Sequence, residues 1–176
     1  MSAVLSFPSL AGALGPAAPD PAPPTAAECA ALRNAIERAR AISVRPGRAP
    51  GIVAAVMAGD EVLAYGENEV HAQCDPTRHA EVVAIARATR ALGRTDLRGA
   101  TLLSTLQPCE MCLAAMRFAG IGRLVFAARQ ECVHRKYFRF PALRITDFHE
   151  ASGAAFVHHG GVFEGEVLDL YADGDE

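Results

Sequence analysis

Two short motifs, His79-Ala80-Glu81 and Pro108-Cys109-Glu110-Met111-Cys112, stand 30 residues apart and constrain the chain more than any other feature. Each reads as the opening of a helix that follows a strand. The turn formers Asp75, Pro76 and Thr77 lead into the first, and the apolar run Thr101–Thr105 leads into the second. Helices entered this way start on one edge of an α/β sheet, so the spacing predicts that both motifs converge there. Cys109 and Cys112 are three apart at a helix start, which puts both sulfurs on one side, where the helix amides favour thiolates. One imidazole and two thiolates suit Zn²⁺ and leave the fourth tetrahedral position open, whereas a structural site would close it with another Cys or His. Two thiolates cancel the ion's charge, yet such a metal still activates water near neutral pH. Glu81, two residues past a ligand, is placed to reach that water without binding the metal and to carry its proton. For the Cys pair taken alone, a closed zinc site or a redox turn is the rival reading.

The surrounding pattern supplies the sheet. Thr25-Ala26-Ala27-Glu28 reads as a capping box, and Leu32, Ala35, Ile36, Ala39 and Ile42 form the apolar face of a helix running to Ser43. Ile52–Met57 and Glu61–Tyr65 read as a hairpin turned at Gly59-Asp60, and a loop from Glu67 to Thr77 follows. Helices are expected over His79–Leu92, closed by Gly93, and from Pro108 to Ala119, with strands at Thr101–Thr105 and Arg123–Ala128. Beyond Arg129 we expect a loop carrying Tyr137, Phe138 and Phe140, then a short helix at Ile145–Ala151. A fifth strand at Phe156–His158 and a final helix over Val162–Tyr171 complete the reading. A hairpin followed by alternating strands and helices implies a three-layer α/β/α fold, with helices on both faces of one sheet.

At 176 residues and 51% hydrophobic, the chain fits one domain with its own core. We expect that domain over 25–176, after an Ala/Pro-rich tail at 1–24 in which Pro16, Pro19, Pro21, Pro23 and Pro24 favour extended backbone. Five cysteines at uneven spacing make no disulfide framework, which points to a reducing, cytoplasmic setting. No apolar run approaches the roughly 18 residues of a membrane span, and Met1–Leu14 lacks the basic start of a signal peptide. The formal net charge is −3 and Lys136 is the only lysine, which disfavours a phosphate-rich partner such as tRNA.

From Gly51 to Ala128 the chain resembles the cytidine deaminase-like superfamily, in the branch of guanine deaminases and tRNA adenosine deaminases. The resemblance is densest at Asp75-Pro76-Thr77-Arg78-His79-Ala80-Glu81 and at Gln107-Pro108-Cys109-Glu110-Met111-Cys112. It implies a five-stranded mixed sheet in the order 2-1-3-4-5, assembled as a homodimer or higher homo-oligomer. It also implies one Zn²⁺ per chain on His79, Cys109 and Cys112, with Glu81 as proton shuttle in the hydrolytic chemistry of zinc deaminases. Asn68 and the backbone amide of Ala80 are the implied contacts to the base. The chain departs from the pattern in three places. Gln107 stands where a Glu is common, and Ala49-Pro50-Gly51-Ile52 matches only part of a Pro-Phe-Gly-Ala stretch. Cys132, with Glu131 beside it, stands where guanine deaminases carry a second acid.

Glu131, His134, Tyr137 and Phe138 are candidates for lining the pocket, the aromatic residues either by stacking on a base or simply as core. Asn68 also fits an ordinary turn residue. His134 also reads as a surface histidine, Arg78 as a solvated arginine or a contact to a phosphate, and Cys74 as an inert thiol. His158-His159 reads as a non-chelating pair, because neighbours on a strand face opposite ways. The expected activity is hydrolytic removal of an exocyclic amine from a free purine base or nucleoside, guanine or a related aminopurine first. A tRNA adenosine deaminase is the alternative, and a non-catalytic zinc-binding interaction module is a third reading.

Overall fold

Helix α1 (Ala26–Ser43) starts at the capping box: the Glu28 amide donates to Thr25 Oγ1 at 3.1 Å, and the Thr25 amide donates to Glu28 Oε2 at 2.9 Å. This computed structural model describes residues 22–44 and 50–172, so the Ala/Pro-rich stretch expected as a tail lies outside the described residues as far as position 21. Glu28 does more than cap. Arg123 donates to its two oxygens at 2.7 and 3.0 Å, and the Thr101 hydroxyl donates at 3.1 Å, tying α1 to two strands of the sheet.

Strands β1 (Val53–Ala58), β2 (Glu61–Glu67), β3 (Ala100–Leu106), β4 (Arg123–Ala128) and β5 (Val157–His159) form one sheet in the order β2-β1-β3-β4-β5. β1 is antiparallel to both of its neighbours and the remaining pairs are parallel, so four strands run one way and β1 runs against them. Alternate strand residues feed opposite layers. On one side α3 (Ala80–Leu92), α4 (Glu110–Phe118) and α5 (Ile145–Ala151) cover Ala54, Val56, Leu102, Leu124 and Phe126. On the other, α1 and the short α6 (Leu168–Tyr171) cover Ala55, Met57, Leu103 and Val125. The three-layer arrangement and the strand order are those the sequence led us to expect. Among the described residues, no helix is long and apolar enough to cross a membrane.

Three local expectations are corrected. The loop after β2 contains a one-turn helix, α2 (Val70–Gln73), which Cys74 ends in the left-handed region at φ 51°. The fifth strand is shifted by one residue, because Phe156 is buried in the α5 layer while Val157 begins the pairing with β4. The final helix over Val162–Tyr171 is absent. A 3₁₀ turn at Glu164–Glu166 and the one-turn α6 replace it, with Phe163 left-handed at φ 59° and Gly161 at φ 81°. Three glycines between positions 160 and 165 make a continuous helix there unfavourable. What anchors this segment is its last residue. Tyr171 is fully buried, its hydroxyl donates to Gly51 O at 2.8 Å, and it lies 2.8 Å from Thr105 Oγ1.

Gly66 sets how closely β2 and α3 pack. A Cβ at that position would lie 2.2 Å from Ala80 O and 2.4 Å from Ala84 N, both backbone atoms of α3. Gly66→Ala must therefore push α3 off the sheet. We expect a lower melting temperature, corresponding to a loss of about 1–3 kcal/mol or more from overpacking.

Candidate active site

β2 and β3 point the same way, so the segments leaving them emerge at one sheet edge and α3 and α4 start side by side. His79 and Cys109 are the N-cap residues of these two helices, both in extended backbone. Cys112 lies one turn further along α4 and is fully buried. Cys109 Sγ is 3.5 Å from His79 Nδ1, Cys112 Sγ is 3.6 Å from the same nitrogen, and the two sulfurs are 3.7 Å apart. A tetrahedral ion with Zn–S of about 2.3 Å and Zn–N of about 2.0–2.1 Å spans edges of about 3.6 Å from sulfur to nitrogen and about 3.8 Å between sulfurs. The triangle already has the dimensions of a zinc site, with Nδ1 as the imidazole donor. Its three residues are placed to hold a metal ion.

The site's electrostatics favour the same use. The hydrogen-bond contact with Cys112, with a further contribution from His79, pulls the Cys109 thiol down to about 4 against the opposing effect of burial. The same sulfur–sulfur contact, together with burial and the nearby Glu81, pushes the Cys112 thiol well above its ordinary value. Cys109 is thus a ready thiolate, and a bound cation displaces the proton of Cys112. Glu81, in the first turn of α3, is 3% exposed. Its Oε1 accepts from the Ser104 hydroxyl at 2.9 Å, and its Oε2 lies 3.2 Å from Cys112 Sγ. Burial, and next the charge on Cys109, push its carboxyl up. A carboxylate buried against a hydroxyl and a thiol is costly to the fold and characteristic of a functional site.

Glu69 holds the segment between β2 and α3. Its carboxylate accepts from Arg78 and Arg87 at 2.6 Å each, and its amide donates to Arg78 O at 2.9 Å. Arg78, read from the sequence as a surface residue, is a half-buried partner in this clamp. A cleft of about 700 Å³ opens above the ligands, with His79, Ala80, Glu81, Cys109 and Asn68 among its walls. His71, Lys136, Tyr137, Arg139 and Phe140 also border it.

Of the four loop residues considered as pocket lining, only Tyr137 reaches this cleft. Glu131 is exposed, carried outward by the 3₁₀ turn Gln130–Cys132, and pairs with Arg129 at 3.5 Å. His134 turns its Nδ1 inward on its own loop, accepting from the Lys136 amide at 3.2 Å. Phe138 is buried beside Leu113 and Phe148, in a small separate space. His158 packs against His149, with ring centroids 5.9 Å apart. Two features escaped the sequence reading. Ser104 was an undistinguished residue of a buried strand until its contact with Glu81 appeared. Gln107 forms a reciprocal pair with Gln130: its Nε2 donates to Gln130 Oε1 at 3.1 Å and its Oε1 accepts the Gln130 amide at 3.2 Å. An uncharged amide is therefore engaged through both its nitrogen and its oxygen.

Residues 25–128 match the family of the cytidine and deoxycytidylate deaminase zinc-binding region. The chain belongs to that family. It is 42% identical over 78 residues to a tRNA-specific adenosine deaminase of Agrobacterium fabrum, covering 44% of this chain and 51% of the relative. It is 37% identical over 75 residues to a guanine deaminase of Bacillus subtilis, covering 43% and 48%. The chain thus spans about half the length of each of these relatives. A solved structure from studies of A-to-I editing by tRNA:A34 deaminases at the wobble position of transfer RNA is 30% identical. It covers 79% of this chain and 96% of that one with a TM-score of 0.66.

Proposed function

We propose that the chain is a zinc-dependent hydrolase that exchanges an exocyclic amine of a purine-type base for a carbonyl oxygen, releasing ammonia. The reading rests on one observation: the buried carboxylate of Glu81 lies 3.2 Å from one of three converged metal-ligand residues and lines an open cleft. Zinc, when bound, supplies the Lewis acidity that makes water a nucleophile near neutral pH. Glu81 takes a proton from the attacking water and delivers it to a ring nitrogen. The water's second proton, taken from the hydroxyl now on the ring carbon and passed to the amine, lets ammonia leave as the C–N bond breaks and the ring carbonyl forms. Asn68 uses its Oδ1 to accept from the Val70 amide at 3.2 Å, so its side-chain NH₂ is the end offered to the base. The Ala80 amide belongs to the first turn of α3, which has no intrahelical acceptor for it, and offers a second donor.

Guanine or a related aminopurine, as free base or nucleoside, is the substrate we place first. The cleft volume falls within the range of about 300–1,000 Å³ typical of small-molecule pockets, and the net charge of −3 favours a small substrate over a polyanion. The basic residues Lys136 and Arg139 at the cleft favour a tRNA adenosine as second reading, since they are suited to meet phosphates. A non-catalytic zinc-binding module has no use for a buried carboxylate beside the ligands. A homodimer in the cytoplasm completes the proposal. The exposed Phe118, with Ala114, Phe148 and Ala151 around an apolar groove, offers a surface for such an assembly.

The test is ammonia release from guanine, adenine, cytosine, their nucleosides, related pterins and triazines, and an anticodon stem-loop. We expect turnover on an aminopurine base or nucleoside. Turnover confined to the stem-loop, falling steeply with salt, selects the second reading. Zinc-loaded protein that releases no ammonia from any of them overturns both and leaves the binding module.

A further inference from the structure

Strand β3 carries a hydroxyl into the apolar layer beneath α3 and α4. Leu102 and Ser104 share that face, and the residues paired with Ser104 across the sheet are Ala54 on β1 and Phe126 on β4. Ser104 is fully buried among them. A small polar side chain adds little to a sheet face that packs best with branched and aromatic residues, and its hydroxyl needs a partner once out of water. That partner is Glu81 Oε1, at 2.9 Å.

The contact has a consequence for the carboxylate. The terminal torsion of a glutamate side chain is broad and roughly two-fold, so nothing in Glu81 itself chooses which oxygen is presented to the metal ligands, or at what angle. With Oε1 engaged by Ser104, Oε2 is the oxygen 3.2 Å from Cys112 Sγ. The two contacts engage different oxygens of the same group: one comes from the sheet below, one from the helix that carries the two cysteine ligands.

We propose that Ser104 is a positioning residue for Glu81, holding one carboxylate oxygen so that the other faces the metal site in a single orientation. This inference rests on the deaminase reading above. Ser104 is not among the residues lining the cleft, so it acts through Glu81. Its effect belongs to the proton-transfer steps and not to ground-state binding of the base, which places it in kcat rather than KM.

The experiment compares zinc-loaded wild type, S104A and S104T on the substrate found by the ammonia screen. S104A is expected to lower kcat roughly 10- to 100-fold, a share of the about 10²–10⁴ that a positioned acid–base group contributes, with KM essentially unchanged. Its zinc content should match that of wild type, and it should stay folded with a modestly lower melting temperature, because a buried carboxylate oxygen loses its partner. S104T keeps the hydroxyl and is expected to recover most of the lost kcat. Wild-type kcat in S104A overturns the proposal, as does a loss in S104A that tracks loss of zinc. A folded, zinc-loaded S104T as slow as S104A overturns it too. A crystal structure of the zinc-loaded wild type decides the matter independently of turnover. Ser104 Oγ within hydrogen-bond distance of one Glu81 oxygen, with the other facing the metal, supports the proposal; a Glu81 turned wholly away from Ser104 overturns it. If no substrate is turned over, the deaminase reading falls, and the crystal structure still decides the role of Ser104.

Discussion

Glu81→Gln is expected to leave a folded protein with its full zinc content that releases ammonia at least about 100-fold more slowly than wild type, the lower end of what general acid–base catalysis contributes. The substitution is chosen for what it preserves. Glutamine has nearly the volume of glutamate, so the fully packed surroundings of a residue only 3% exposed are not disturbed. Its carbonyl oxygen can still accept from the Ser104 hydroxyl, as Oε1 does now at 2.9 Å. What changes is the second position, beside Cys112, where an NH₂ group replaces an oxygen able to take a proton. The three metal-ligand residues, His79, Cys109 and Cys112, are untouched. Zinc analysis together with initial rates checks the expectation. Unchanged turnover would remove Glu81 from the chemistry, and loss of zinc would make it a structural part of the metal site.

Removing the metal, by chelation or by Cys112→Ser, is the other large effect. We expect Cys112→Ser to bind no stoichiometric zinc and to release no ammonia above background, because a serine hydroxyl does not supply the soft anionic donor that closes the triangle. Chelated wild type should melt at a lower temperature and recover on adding zinc. At free zinc about 1,000-fold above its dissociation constant, the linkage amounts to about 4 kcal/mol. The thiols predict the direction of a pH effect on binding. Cys109 is held down near 4, whereas Cys112 is pushed up and His79 is raised by its hydrogen bond to Cys109, so the metal-free site holds ligand protons that binding must expel. Zinc affinity should therefore rise with pH across that range. Thermal melting with and without chelator, alongside zinc content, is the measurement. A zinc-free wild type that melts with the loaded protein would contradict the coupling of the ion to the fold.

The parts of this site that were legible in the sequence are those set by local chemistry. His79 and Cys109 could be placed at helix starts because turn formers and a strand precede them, and Cys109 and Cys112 could be placed together because three residues make one helical turn. The capping box at Thr25 and Glu28 was legible for the same reason. The second use of Glu28 was not: its partner Arg123 is 95 residues away, and no local pattern announces it. Ser104 was hidden similarly, since its partner lies 23 residues back on another element. Between Arg129 and Arg144 the chain has neither helical nor strand periodicity. Glu131, His134 and Phe138 were plausible there by type alone, and short 3₁₀ turns decided their directions.

The metal-ligand set, the residue suited to move protons and the layered sheet follow from composition, spacing and resemblance, because donor chemistry and helix starts are properties of a few consecutive residues. Only the tertiary structure decided that His79 offers Nδ1, that the ligand atoms stand 3.5 to 3.7 Å apart, and that Glu81 is held from beneath by Ser104. Those facts depend on how closely β2, β3, α3 and α4 approach one another. That approach is set by the packing of residues far apart in the chain, such as Gly66 against Ala80 and Ala84.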